Sequence, residues 1–560
     1  MFDLKNQWDD KIGLFLLPPG KSGHTLDCFN QKNLHSLPDS VSFMIYAAQV
    51  GRLDEIDNYR ILENIRKCQF TDCERRGQIK WFLEDRDKTD GNASFFICTG
   101  LIPLRKYFSS ELGDKCNLLI DEIISETLHH SMKKFDQCSC YYPNSFLGEI
   151  AFAWIINEMC GQENNDEFLL KTLNDSIRYW NEENWGWGEH MSDCYSPICC
   201  YVISMLLLMS NRLPEYTREM YLEALSKLLE IEDIYGAKPR VPAIRSYSFI
   251  ESPKVFPFRQ EIREWQPEEN IIINNLPAIG PILTRLGWHD MAPPISKAQR
   301  EVEIACFNDT KASALIEDDF RIGAMSRYPI MECSDYQVSG MSWQSFPVSF
   351  LHDDGDWGFL QWSTQEDGKT YAHPCHQKKH DIIKGLSTKI NPPIIGNTFS
   401  LREAGNLLVL RRMPAISTVW TRLSDRLRVV SPASEFEEKK ISDNCSTMLF
   451  KWRGGRILSV ARVTFSDIPT HMNMRIKDEI LDWDIEYGKQ SIKNMNDAVI
   501  LWAFSIDAEI INPPTIKPVA IKRRPFEKEN GIFYLDWKAG NFHWNMKIDP
   551  VAKNPFITEF

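Results

Sequence analysis

Apolar residues recur at i, i+3 and i+4 through the first half of the chain, the spacing of amphipathic helices. It predicts helices over Ser42–Leu53, Ile56–Cys68, Gly77–Arg86, Phe95–Phe108, Leu118–Lys133, Phe146–Cys160, Phe168–Trp180, Tyr195–Met209 and Tyr216–Leu229. Ile271–Leu286 is weaker, because Pro277 and Pro281 interrupt it. Short polar or Gly/Pro links separate the segments, as in consecutive helical hairpins. Phe146–Cys160 and Tyr195–Met209 are apolar around most of their circumference, which suits inner helices of a two-layer arrangement. An α/α toroid therefore fits better than a single bundle. Near residue 295, after Pro293 and Pro294, the pattern changes. Val302–Phe307, Phe320–Tyr328, Gly358–Ser363, Leu407–Arg412, Ile416–Leu423, Leu427–Val430, Met448–Trp452, Ile457–Phe465, Ala498–Phe504 and Gly531–Trp537 read as strands. They are short, rich in β-branched and aromatic residues, and bounded by turn residues. Asp354-Gly355 and Asn530-Gly531 are hairpin-turn dipeptides. The expected class is α+β: an α/α toroid over 1–295, then an antiparallel β-sandwich over 296–560. Ile234–Glu268, rich in Pro and Arg, reads as a long ordered loop over the toroid.

Composition narrows the function classes. The 560 residues are 43% hydrophobic and 25% charged, ordinary for a globular protein. A net charge of −13 argues against a nucleic-acid footprint over the whole surface. The longest apolar stretch, Ile198–Met209, is too short to span a bilayer. The 15 cysteines show neither CxxC pairs nor a zinc-finger His spacing, so they read as reduced thiols of a cytoplasmic protein. The acidic start of the chain, with Asp3, Asp9 and Asp10, is unlike a secretory signal. The aromatic excess is informative: with 17 Trp, 17 Tyr and 31 Phe, the chain has rings to spare for stacking on sugars.

Four stretches could carry chemistry. Asn184-Trp185-Gly186-Trp187-Gly188-Glu189-His190 runs on to Ser192, Asp193 and Tyr195 between two predicted helices. Its glycines let backbone approach a ligand while the indoles stack on it. The alternative is helix capping by Ser192 or Asp193. In the second stretch, Lys238, Arg240 and Arg245 with Tyr247 could grip a carboxylate, since Arg binds it bidentately. Surface ion pairing, or anchoring to the strand-rich half, explains the same residues. In the third, Trp343 and Gln344, then Trp357, Gln361 and Trp362, place Trp and Gln where a strand can set polar tips on one face and rings on the other. Plain packing between sheets is the alternative. The fourth, His373, Cys375, His376 and His380, has zinc-type donors. Pro374 and the lack of an HExxH motif favour a loop with one His, His373, touching ligand. No GxGxxG, Walker A, GxSxG or kinase signature is present. No cofactor or metal is expected.

The helical first half, the strand-rich second half and the Asn184-Trp185-x-Trp187-x-Glu189 run together resemble polysaccharide lyases of the heparinase II/III and alginate/chondroitin lyase type. Some exo-acting glucuronidases of gut bacteria are built similarly. The resemblance implies β-elimination on a uronic acid. Asn184 and Arg245 would then neutralise its carboxylate, as would Glu189 if protonated. Tyr195, His190 or Tyr247 would exchange the protons. Trp185, Trp187, Asp193, Arg240, Trp343, Gln344 and His373 would line the sugar site. The rival is glycoside hydrolysis by a carboxyl pair, Glu189 with Asp193. A non-catalytic sugar-binding protein on the same fold is a third reading. The expected partner is a uronic-acid-containing carbohydrate, with no nucleic acid and no membrane; a homo-oligomer is compatible.

Overall fold

The computed structural model describes residues 7–17, 33–72, 74–85, 91–135, 143–182, 191–192, 195–236, 239–243, 258–259, 288, 300–307, 310–328, 347–353, 355, 357–366, 369–370, 398–413, 423–430, 435–442, 445–464, 470–477, 480–487, 498–510, 512–518, 533–549 and 556–558. The chain divides into two compact units. The first comprises Met1–His190, Tyr195–Ala237 and Phe256–Lys297; the second comprises Met191–Cys194, Lys238–Val255 and Ala298–Phe560.

The first unit opens with a small antiparallel sheet, β1 (Trp8–Asp9), β2 (Leu14–Leu17) and β3 (Leu34–Ser36). Its helices are α1 (Leu37–Gln49), α2 (Asn58–Lys67), α3 (Ala93–Tyr107), α4 (Ser109–Phe135), α5 (Pro143–Met159), α6 (Asp166–Glu182), α7 (Tyr195–Met209) and α8 (Glu215–Tyr235). The odd helices pack in succession, α1 on α3, α3 on α5 and α5 on α7, while α2 packs on α4 and α6 on α8. Burial follows this division. In α7 only Leu208 escapes burial, and in α1 only Gln49. By contrast, α2 and α6 bury a single stripe, Ile61, Leu62 and Ile65 in one and Leu169, Leu173, Ser176, Ile177 and Trp180 in the other. The helical character of this region, with antiparallel sheets following it in the chain, is the α+β class expected from the sequence.

One predicted helix is corrected. Gly77–Arg86 forms no helix over its described residues. Ile79 bridges to Gln69 and Phe82 to Ser36 instead. Gly77 has φ of +88°, and a Cβ there would lie 1.8 Å from the Glu126 carbonyl oxygen, so the backbone is held in a turn only glycine accommodates. Asp85 closes the segment: one carboxylate oxygen accepts the Trp81 and Phe82 N–H groups, each at 3.0 Å. Burial pushes the Asp85 carboxyl up to about 6 from its ordinary 3.8, against those two hydrogen bonds. The folded state therefore binds this proton more tightly than the unfolded chain. The resulting stability is full below the ordinary value and is lost as pH rises through about 6. Asp85→Asn is expected to remove that slope and unfold later than wild type at neutral pH. Urea unfolding of both proteins across the acid-to-neutral range checks this; parallel pH curves would refute it.

The second unit contains β4 (Glu301–Phe307), β5 (Thr310–Ile316), β6 (Phe320–Met325), β7 (Arg327–Tyr328), β8 (Val348–Leu351), β9 (Trp357–Glu366), β10 (Lys369–Thr370), β11 (Thr398–Glu403), β12 (Asn406–Met413), β13 (Leu423–Val430), β14 (Glu435–Ser442), β15 (Cys445–Trp452), β16 (Arg456–Thr464), β17 (Thr470–Lys477), β18 (Ile480–Tyr487), β19 (Ala498–Ile506), β20 (Asn512–Pro518), β21 (Phe533–Ala539), β22 (Phe542–Ile548) and β23 (Phe556–Thr558). A 9-stranded sheet has the order β17-β18-β13-β9-β8-β6-β5-β4, with β10 paired to β9. A 7-stranded sheet has the order β14-β15-β16-β19-β12-β11-β7, and β20 to β23 form a 4-stranded sheet. The 7-stranded sheet lies between the other two. Trp502 meets Trp483 of the 9-stranded sheet edge-on at 5.6 Å, while Leu501 and Ala503 pack with Leu535, Trp537 and Met546 of the 4-stranded sheet. Both faces of β19 are thus covered, which is why its sequence is a nearly continuous apolar run. The predicted single strand Phe320–Tyr328 is divided. β6 belongs to the 9-stranded sheet, and after Ser326 the chain crosses to the 7-stranded sheet as β7.

The described cysteines Cys68, Cys98, Cys116, Cys160, Cys199, Cys200 and Cys445 are free thiols. Among the described residues no helix is long and apolar enough to cross a membrane, and no cluster of metal-ligating side chains occurs.

Candidate functional site

The Trp-rich stretch lies between α6 and α7, and both helix ends are firmly seated. Trp180, fully buried near the end of α6, meets Phe146 of α5 edge-on at 6.1 Å. Tyr195 is the first residue of α7 and is 8% exposed. Met191 and Ser192 are fully buried and belong to the second unit. Asn184, Trp185, Trp187, Glu189, His190 and Asp193 lie outside the described residues, as do Arg245, Tyr247, Trp343, Gln344, His373 and the neighbouring Cys375, His376 and His380. Of the candidate residues, the structure describes Ser192, Tyr195, Arg240, Trp357 and Gln361.

Arg240 sits in a strap, residues 239–243, laid on one face of the 9-stranded sheet. Arg321 of β6, fully buried, donates from Nη1 to the Pro239 carbonyl at 2.6 Å. Its guanidinium carbon lies 5.7 Å from the centre of the Trp357 ring. Arg240 is itself buried and donates from Nη1 to the Ser192 carbonyl at 3.5 Å. The Val241–Pro242 bond is cis. The strap closes on Gly323, where a Cβ would fall 2.8 Å from the Val241 carbonyl oxygen and 2.9 Å from Pro242 Cδ. Ala243 then packs on Phe359, flanked by Trp357 and Val430. Two readings of the cationic stretch were open from the sequence, carboxylate binding and anchoring. Over 239–243 the chain is anchored.

Strand alternation makes this sheet face polar. Leu427, Val429, Leu481 and Trp483 turn toward the 7-stranded sheet and are buried. Arg426 and Arg428 turn the other way, opposite Asp484 and Asp482 of β18. Arg426 forms a two-pronged pair with Asp484 at 2.6 and 3.0 Å, and Arg428 pairs likewise with Asp482 at 2.7 and 2.9 Å. Arg475 of β17 adds a further bond to Asp484. Burial pushes the Asp482 carboxyl up, but the bond from Arg428 and the charges of Arg428, Arg426 and Arg475 hold it below its ordinary value. Gln361 of β9 stands directly opposite Arg428 on the same face. Gln361 was singled out from the sequence and the charged ladder was not. Its signal is visible in the alternation of charge and apolar residue in Ser424–Val430 and in Leu481–Tyr487.

No family model and no curated protein matches the sequence. Among solved structures the chain is similar to a crystal structure of heparinase III, with a TM-score of 0.43 and 10% identity over 91% of this chain and 82% of that one. It is also similar to a second heparinase III gene product, with a TM-score of 0.37 and 8% identity over 92% of this chain and 84% of that one. The methylated-lysine form of that second protein gives a TM-score of 0.37 and 8% identity, covering 92% and 83%.

Proposed function

We propose that the chain is a carbohydrate-active enzyme that cleaves uronic-acid-containing oligo- or polysaccharides by β-elimination. The observation that carries this reading is the position of Tyr195. It is a buried phenol at the start of an otherwise apolar helix, next in sequence to a stretch holding two indoles, a carboxyl and an imidazole. The positive end of α7 favours the negative charge that gathers on the sugar carboxylate as the C5 proton leaves. In this mechanism Tyr195, His190 or Tyr247 takes the C5 proton, and Tyr195 returns a proton to the departing C4 oxygen. Asn184 and Arg245 neutralise the carboxylate, with Glu189 in its protonated form as a third group. Trp185, Trp187, Asp193, Trp343, Gln344 and His373 hold the sugar, while Arg240, expected there from the sequence, is buried in the strap and left out of the sugar site. The first unit is read as an α/α toroid bearing the catalytic groups, and the enzyme as cytoplasmic, acting on imported oligosaccharides without a cofactor.

Incubation with uronate oligosaccharides tests the reading. Elimination leaves a C4–C5 double bond conjugated to the carboxylate, so ultraviolet absorbance rises as product forms. Release of saturated uronic acid without that rise would replace elimination by hydrolysis at Glu189 and Asp193. Binding without turnover would leave a sugar-binding protein.

A further inference from the structure

The polar face of the 9-stranded sheet holds a donor with no partner among the described residues. Gln361 is 2% exposed, and its Nε2 donates to no described residue. Leaving a buried amide donor unpaired costs about 1–3 kcal/mol, so folded proteins rarely keep one without a use. Its neighbour across the ladder is Arg428, whose Nε and Nη2 are both taken by Asp482. The remaining nitrogen, Nη1, makes no hydrogen bond among the described residues, and the side chain is 26% exposed. Directly opposed residues place their Cβ atoms about 4.5–5.5 Å apart. A neutral donor and a cationic donor therefore stand side by side, with no acceptor bonded to either free nitrogen among the described residues. Arg428 keeps one N–H-bearing nitrogen beyond its two bonds to Asp482, so a cationic donor remains beside the amide. An anionic group with two acceptor oxygens suits this pair.

We propose that Gln361 and Arg428 form a subsite for the carboxylate of a uronic acid. One carboxylate oxygen accepts from Gln361 Nε2 and the other from Arg428 Nη1. Identifying the ligand as a uronate rests on the function proposed above; the unpaired donors do not.

Titration of the full chain with glucuronate and with glucose, followed by ligand-observed NMR, tests this. Wild type is expected to bind glucuronate and not glucose. Gln361→Leu keeps the side chain's bulk and removes the unpaired donor, so it is expected to weaken glucuronate about tenfold or more. Its unfolding midpoint is expected to hold or rise. Gln361→Glu, which places a carboxylate beside Arg428, is expected to abolish binding. Unchanged glucuronate affinity in both variants, equal binding of glucose, or no binding to wild type overturns the proposal. Product absorbance measured on the same samples separates the two readings. Elimination with glucuronate binding insensitive to Gln361 discards the subsite alone. Glucuronate binding lost in Gln361→Leu, with no unsaturated product from wild type, discards elimination alone.

Discussion

Tyr195→Phe is expected to lower turnover of uronate oligosaccharides by about 10²- to 10⁴-fold, the usual range for losing a positioned proton-transfer group. The ring is buried at the head of α7, and phenylalanine fills the same volume, so packing is preserved. The loss should fall on kcat and leave substrate affinity nearly unchanged, because the hydroxyl acts in the transition state. Initial rates of unsaturated product, read beside far-ultraviolet circular dichroism, check this. A variant that turns over at the wild-type rate removes Tyr195 from the chemistry. His190→Ala, Tyr247→Phe and Glu189→Gln would then be compared to locate the proton-transfer group.

Asp484→Ala is expected to destabilise the strand-rich unit by about 3–5 kcal/mol, the scale of breaking a buried ion pair by removing one partner. Asp484 is fully buried and receives two bonds from Arg426 and one from Arg475. Its loss leaves buried Arg426 with, among the described residues, only the Asp482 oxygen 3.5 Å from Nη1. Adding Arg426→Met should restore much of the loss, because the uncompensated charge is then gone as well. Urea unfolding of the two single variants and the double variant decides the matter. Additive losses would mean that the pair does not act as a unit.

The fold was legible where one face, or the whole circumference, is apolar. The bounds of α7 are those expected, Tyr195–Met209, because a run buried all round leaves no ambiguity about its ends. Gly77–Arg86 misled because Ile79, Trp81 and Phe82 carry helical spacing, while the Gly77 backbone and the Asp85 hydrogen bonds fix a turn. β14 was missed because Glu437, Glu438, Lys439 and Lys440 hide a strand that lies at the edge of its sheet, where charge is the usual protection. β17 and β18 were missed for a related reason: the polar positions that interrupt their apolar residues are one side of the ion-pair ladder. At the candidate site, single residues were legible by type and partnership was not. Carboxylate binding and anchoring were both open for Arg240 from the sequence, yet it bonds the Ser192 carbonyl, and the Pro239 beside it is bonded by Arg321 far along the chain. No local pattern encodes that.

The strap gives the order of synthesis a physical consequence. Residues 239–243 leave the ribosome before any strand of the sheet on which they rest. At about 5–20 residues per second, Arg321, Gly323 and Phe359 follow on the order of ten seconds later. Through that interval the guanidinium of Arg240 and the methyl of Ala243 have no sheet to enclose them. The second unit thus includes a segment made well before its strands, and that segment must wait for β6 and β9 to capture it.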